Sequence, residues 1–181
     1  MVVVLQVKVS HIPLQNLVKK VFHYWDIFGN WFFKKCHLII PSTIKHIKEK
    51  VFYGNERCWY SWALKEVLSL EIEEGVETIG KEAFTGCKDL KSNKIKFPNS
   101  LKYIDEFAFR HTNITELDLT TLDHVIELSC DINSPNGIFT SLLSSSTNLE
   151  KIYVKDETTK AKYCVDKKWK SVSNKIIVKN A

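Results

Sequence analysis

IEEGVETIGKEAF, residues 72–84, and FPNSLKYIDEFAF, residues 97–109, are two versions of one pattern. Counted back from the closing Phe, an apolar residue stands at −1, −5, −8 and −12 in each. These are Ala83, Ile79, Val76 and Ile72, then Ala108, Ile104, Leu101 and Phe97. IPSTIKHIKEKVF, residues 40–52, fits again with Val51, Ile47, Ile44 and Ile40, and its Pro41 matches Pro98. Three fits to one template make this a repeat protein. A single unit of this length cannot bury its apolar face alone, so neighbouring units stack and share one continuous core. Phe52, Phe84 and Phe109 are therefore expected to form a spine along that core.

Outward from the template, each unit carries a short alternating stretch that reads as a strand, such as Leu68, Leu70 and Ile72 or Ile95 and Phe97. Asp89-Leu90, Asn113-Ile114 and Asn148-Leu149 mark turns, where Asp and Asn bond locally to the backbone. Stacked units place their strands in parallel, about 4.8 Å apart. One outward row then reads Ile39, Glu71, Lys96, Asp118 and Tyr153, and the row two residues earlier reads Ser69, Lys94, Glu116 and Lys151. Signs alternate between neighbours, and facing opposite charges contribute about 0.2–1 kcal/mol each. The same alternation fixes register and solubility, and it offers a face for a protein partner. Glu71, Lys94, Lys96, Glu116, Asp118, Lys151 and Tyr153 are the candidate binding residues. Glu73 and Glu74 read as solvated rim positions beside Glu71.

The units on either side are less regular. Leu122 and Val125 keep the three-residue step, with Cys130 where the spine Phe is due. The loop DINSPNG, 131–137, precedes Ile138-Phe139 and a strand at Ile152–Val154. An insertion after Phe52 is rich in aromatics, with Trp59, Tyr60 and Trp62. At the start, Val3, Leu5, Val7 and Val9 alternate as a strand, and Leu14, Leu17, Val18, Val21, Phe22, Trp25 and Phe28 follow at helical spacing. The tail has Tyr163 and Trp169 on a short helical stretch and ends on an apolar strand, Ile176 to Val178. Terminal units unlike the rest are what an open-ended array needs. The expected organisation is 1–37 as an N-terminal cap or degenerate repeat, 38–155 as the repeats, and 156–181 as a C-terminal cap.

Composition narrows the function. Of 181 residues, 44% are apolar and 26% charged, and the net charge is +5. Arg57 and Arg110 are the only arginines. Specific reading of nucleic acid leans on the forked guanidinium, so a chain whose basic residues are Lys is not expected to bind it. The five cysteines, an odd number without a C-x-x-C pair, suit reduced thiols better than a disulfide framework. No apolar run approaches the length of a membrane span, about 20 residues. The first residues make a poor signal peptide, which favours an intracellular setting. Neither a nucleophile elbow, a phosphate loop nor an H-E-x-x-H pair occurs. The six histidines are scattered. The expectation is a non-enzymatic protein without cofactor or metal.

VETIGKEAFTGCKDL, 76–90, with Cys87 three residues after the spine Phe, resembles the BspA-like, or Treponema pallidum type, leucine-rich repeat. The resemblance covers about 38–155, although Thr112 replaces the Cys in the next copy and the Phe-to-Phe steps vary as 32, 25 and 30. It implies an α/β-type repeat: a short solenoid with a parallel strand ladder, helical or turn segments on the other face, and atypical terminal caps. It also implies protein binding, in surface adhesion or contact with host or matrix proteins. A second resemblance lies in IPLQNLVKKVFHYWDIFGNWFFKKC, where Ile12-Pro13, Leu17, Val21-Phe22, Tyr24-Trp25 and Lys35-Cys36 are similar to the opening of an F-box. That alternative implies an intracellular adaptor that recruits a substrate to a ubiquitin ligase.

Overall fold

The computed structural model describes residues 3–6, 36–53, 67–91, 95–140 and 148–179. Its backbone forms two parallel ladders on opposite sides of one apolar core. On one side run β1 (Val3–Gln6), β2 (Cys36–Ile40), β4 (Val67–Ile72) and β6 (Ile95–Lys96), hydrogen-bonded in that order. The same side continues as a separate sheet of β8 (Glu116–Asp118), β10 (Lys151–Val154) and β11 (Ile176–Val178). On the other side run β3 (His46–Ile47), β5 (Thr78–Ile79), β7 (Tyr103–Ile104) and β9 (Glu127–Leu128). The parallel solenoid is the expected one. Its second face consists of turns and this second ladder, and two-residue strands are too short to show alternation in a sequence.

The template explains both ladders. Residues at −5 from the spine Phe point inward and stand in register: Ile47 faces Ile79, Ile79 faces Ile104, and Ile104 faces Leu128. Each of the first three strands stops after two residues because the chain then turns through a left-handed residue. These are Lys50 (φ 56), Glu82 (φ 55) and Phe107 (φ 58), all two positions before the spine Phe. A left-handed L-residue costs about 1–2 kcal/mol, repaid here by the stacking the turn permits. Gly80 marks a close approach of two coils, since a Cβ there would lie 2.7 Å from the Glu49 amide nitrogen.

On the first side, Leu38 faces Leu70, and Leu70 faces Ile95, all buried. Between Cys36 and His37 the register slips by one, leaving Leu68 as the extra residue of a bulge. Val67, rather than Leu68, therefore enters the core, with Leu68 half-buried.

The spine forms as expected. Phe52, Phe84 and Phe109 are fully buried, with ring centroids 5.1 and 5.2 Å apart and planes within 10° of parallel. The spacing of adjacent coils, about 4.8 Å, sets this parallel arrangement of the rings.

The fourth unit departs from its expected register. Leu128, not Val125, stands opposite Ile104, and Phe139, not Cys130, stacks on Phe109 at 5.4 Å. The Phe109 amide donates to the Ile138 carbonyl, as the Phe84 amide does to Ala108. The DINSPNG loop is thus inserted inside the turn between strand and spine. It closes on itself through Asp131, which accepts from the amides of Asn133 and Ser134. Cys130 lies half-exposed, its thiol donating to the Asn136 carbonyl. Thr112 replaces the buried Cys without an orphaned hydroxyl, because its Oγ1 donates to the Phe109 carbonyl at 2.8 Å.

After β10 come α1 (Glu157–Val165), N-capped by Asp156 on the Thr159 amide, and a short 3-10 turn, Lys170–Lys175. Tyr163 and Trp169 are buried edge to face, 4.9 Å apart. The stretch similar to an F-box from Ile12 to Lys35, the helical spacing from Leu14 to Phe28 and the Trp59–Trp62 cluster all lie outside the described residues.

Candidate functional site

The outward rows of the first side fall into two patches. In the first, Glu71 stands in register between Ile39 and Lys96, and Glu71 and Lys96 are both exposed. Beside them the His37 ring hydrogen-bonds to the Ser69 hydroxyl of the next strand. In the second patch, Lys151 faces Glu116 and pairs with it at 3.5 Å. The Lys151 amine is held above its usual range by the fields of Tyr153 and Glu116. Asp118, Tyr153 and Ile177 share a row, and Ile177 is 41% exposed. Lys94 lies outside the described residues.

Lys96 and Asp118 do not meet across a ladder, because β6 and β8 belong to separate sheets. The expected alternation is broken there. Asp118 instead accepts from Lys179 of the tail at 2.6 Å, and from the amide and hydroxyl of Thr120. Partial burial pushes the Asp118 carboxyl up, but bonds from Lys179 and Thr120 outweigh it and leave it below its usual range. The Lys179 amine also lies 5.6 Å from the Tyr153 ring centroid, close enough for a cation–π contact.

Two alternating charge rows that the sequence reading missed run along the second ladder. Glu77 pairs with Lys45 at 2.9 Å and with Lys102 at 3.2 Å, bridging three coils. These two lysines, Lys45 first, hold its carboxyl below the usual range. Lys81 pairs with Glu106 at 2.5 Å, with Glu49 in the same row. Both rows were visible in the template at −7 and −3 from the spine Phe. Exposed pairs contribute little singly, and their effect here is to hold register.

Glu73 and Glu74 are not merely solvated. Glu73 accepts from the Ser42 amide at 2.8 Å, one coil back. Glu74 accepts from the amides of Asn99 and Ser100 at 2.7 and 3.0 Å, one coil forward. They staple adjacent turns by satisfying amides the ladders leave unpaired.

The tail treats the free edge of β9 in the same way. Trp169 Nε1 donates to the Ile126 carbonyl, and Lys168 Nζ donates to the carbonyls of Leu128 and Ser129. Lys162 Nζ reaches the Asp123 carbonyl, and Tyr163 donates to His124 while accepting from the Ile126 amide. Burial drives the Tyr163 hydroxyl above its usual range, so it remains a donor. Among the described residues, no group of three or more His, Cys, Asp or Glu could hold a metal ion. No described helix is long and apolar enough to cross a membrane.

Stacked units, an aromatic spine and exposed parallel ladders define a leucine-rich-repeat solenoid, whose surface for a partner is a face rather than a cleft. Residues 55–165 match the family model described as BspA type leucine rich repeat region, in six copies. That match covers more than half of the chain, and the chain belongs to this family. It is accordingly a protein-interaction repeat module, of a kind that is typically non-catalytic. Among solved structures, the crystal structure of the pneumococcal vaccine antigen PcpA is similar at 23% identity, with a TM-score of 0.34. The similarity covers 80% of this chain and 42% of that one, so the chain spans less than half of PcpA's length. No curated protein matches the chain.

Proposed function

We propose that the module binds a protein partner through the outward face of the first side, using Glu71, Lys94, Lys96, Glu116, Asp118, Lys151 and Tyr153. The observation that carries this reading is the second patch. Tyr153 stands beside the exposed Ile177, with Asp118, Lys179, Glu116 and Lys151 around them. An aromatic and apolar centre within a charged rim is the composition of a protein interface, where Tyr anchors carry much of the affinity. On this reading residues 38–155 carry the repeats and residues 156–181 close the array. The family resemblance supports a role in adhesion, with a surface, host or matrix protein as the partner.

The test is to screen the intact chain against panels of purified extracellular and cytosolic proteins. The main hit is then re-measured with Tyr153→Ala and with the pair Glu71→Lys, Lys96→Glu. At least a tenfold loss of affinity is expected in one or both, with the melting temperature preserved. Undiminished binding by both variants removes this face from consideration.

A further inference from the structure

The turn at 107–111 carries an arrangement that stacking does not require. Its first left-handed position is occupied by Phe107 (φ 58), where the two preceding turns place Lys50 and Glu82. A bulky residue at positive φ is a strained choice, and strain of this kind concentrates at binding sites. The ring does not repay the strain by entering the core, for Phe107 stays partly exposed while Ala108 and Phe109 are buried beside it. The Arg110 guanidinium carbon lies 4.8 Å from the Phe107 ring centroid. Arg110 Nε is shielded from solvent and has no hydrogen-bond partner.

Among the described residues Arg110 has no carboxylate within ion-pair distance, although acidic groups are near. Glu106 is engaged by Lys81. None of the described carboxylates pairs with Arg110, and its planar fork is uncommitted. We propose that Phe107 and Arg110 form a second contact surface, which receives a carboxylate-bearing segment of a protein partner. The ring holds the guanidinium flat, and a flat guanidinium presents two parallel donors to a carboxylate. Glu82, Asp105 and Glu106 stand around the turn, so a singly charged carboxylate is accommodated better than a doubly charged phosphate.

The probe is an array of acidic peptides, each printed beside its twin with Glu and Asp replaced by Gln and Asn, and challenged with the intact chain. The chain is expected to retain carboxylate peptides over their amide twins. Arg110→Gln and Phe107→Gly should each weaken that capture at least tenfold. Phe107→Gly should also hold or raise the melting temperature, because glycine accepts the left-handed turn without strain. Tyr153→Ala should leave capture unchanged, which separates this surface from the strand face proposed above. Equal capture of both twins, no capture at all, or unaltered capture by Phe107→Gly overturns the proposal. So does a melting temperature for Phe107→Gly that falls as far as that of a spine variant.

Discussion

Phe84 has a stacked ring on each side, Phe52 at 5.1 Å and Phe109 at 5.2 Å, and no exposed surface. Truncating it removes both contacts and leaves a void between coils that the fixed spacing prevents from collapsing. Phe84→Ala is expected to cost about 3–5 kcal/mol. For a chain of this size that lowers the melting temperature by on the order of 10 °C, readable by calorimetry or circular dichroism. A shift of only a degree or two would sink the spine as the source of stability. The spine was legible because a large residue of one type recurs at fixed offset. The left-handed residues were not, because Lys50, Glu82, Phe107 and His111 carry no turn signature of their own. Among the described left-handed positions near the spine, only Gly86 shows one, two residues after Phe84.

At the scale of strands and turns, the two ladders differ in how they are held. The second ladder has continuous register from β3 to β9 and charge pairs across it, while the first breaks between β6 and β8. The Glu73 and Glu74 staples cross-link turns on the first side. Glu74→Ala leaves the Asn99 and Ser100 amides to water, and a loss of about 1 kcal/mol is expected. The urea midpoint measures it, and Glu74→Gln, which keeps one acceptor oxygen, should fall between. A midpoint unchanged in Glu74→Ala would leave the staple without energetic weight. These bonds could not be read from sequence, because a rim glutamate looks the same whether it faces solvent or a neighbour's amide. The inward positions of the longer strands were legible by alternation, except at the Leu68 bulge. The Asp118–Lys179 tie also belongs to this scale, and it should loosen in acid. The Asp118 carboxyl is depressed in the folded state, so its contribution is present above the unfolded value and is lost as pH falls through the folded one. The tie therefore holds at neutral pH and opens only below about pH 4.

For the molecule as a whole, the edge of β9 is the feature that needs cover. A ladder that ends on β9 presents carbonyls that another chain could pair with, a known route to association. The segment after β10 covers that edge with side chains and adds a strand to the first side. β11 extends the first side, while Lys162, Lys168, Tyr163 and Trp169 cover the last turn and the edge of β9. Lys175 Nζ bonds the Leu149 carbonyl in the same manner, at 2.6 Å. The lysines that give the chain much of its positive charge thus serve here as hydrogen-bond donors to backbone, a use that composition cannot reveal. Two variants follow from this. Trp169→Ala removes a buried ring and leaves the Ile126 carbonyl unpaired, and it should cost about 3–5 kcal/mol, as a spine residue does. Deletion of 156–181 should do more than destabilise. It bares the β9 edge and the core beneath Tyr163 and Trp169 together, so the shortened chain should form higher-mass species as its concentration rises, beyond any association of the full chain. Light scattering across a dilution series, run on both chains, reads this directly. If the shortened chain matches the full one in mass and melting temperature, the tail does not close the array.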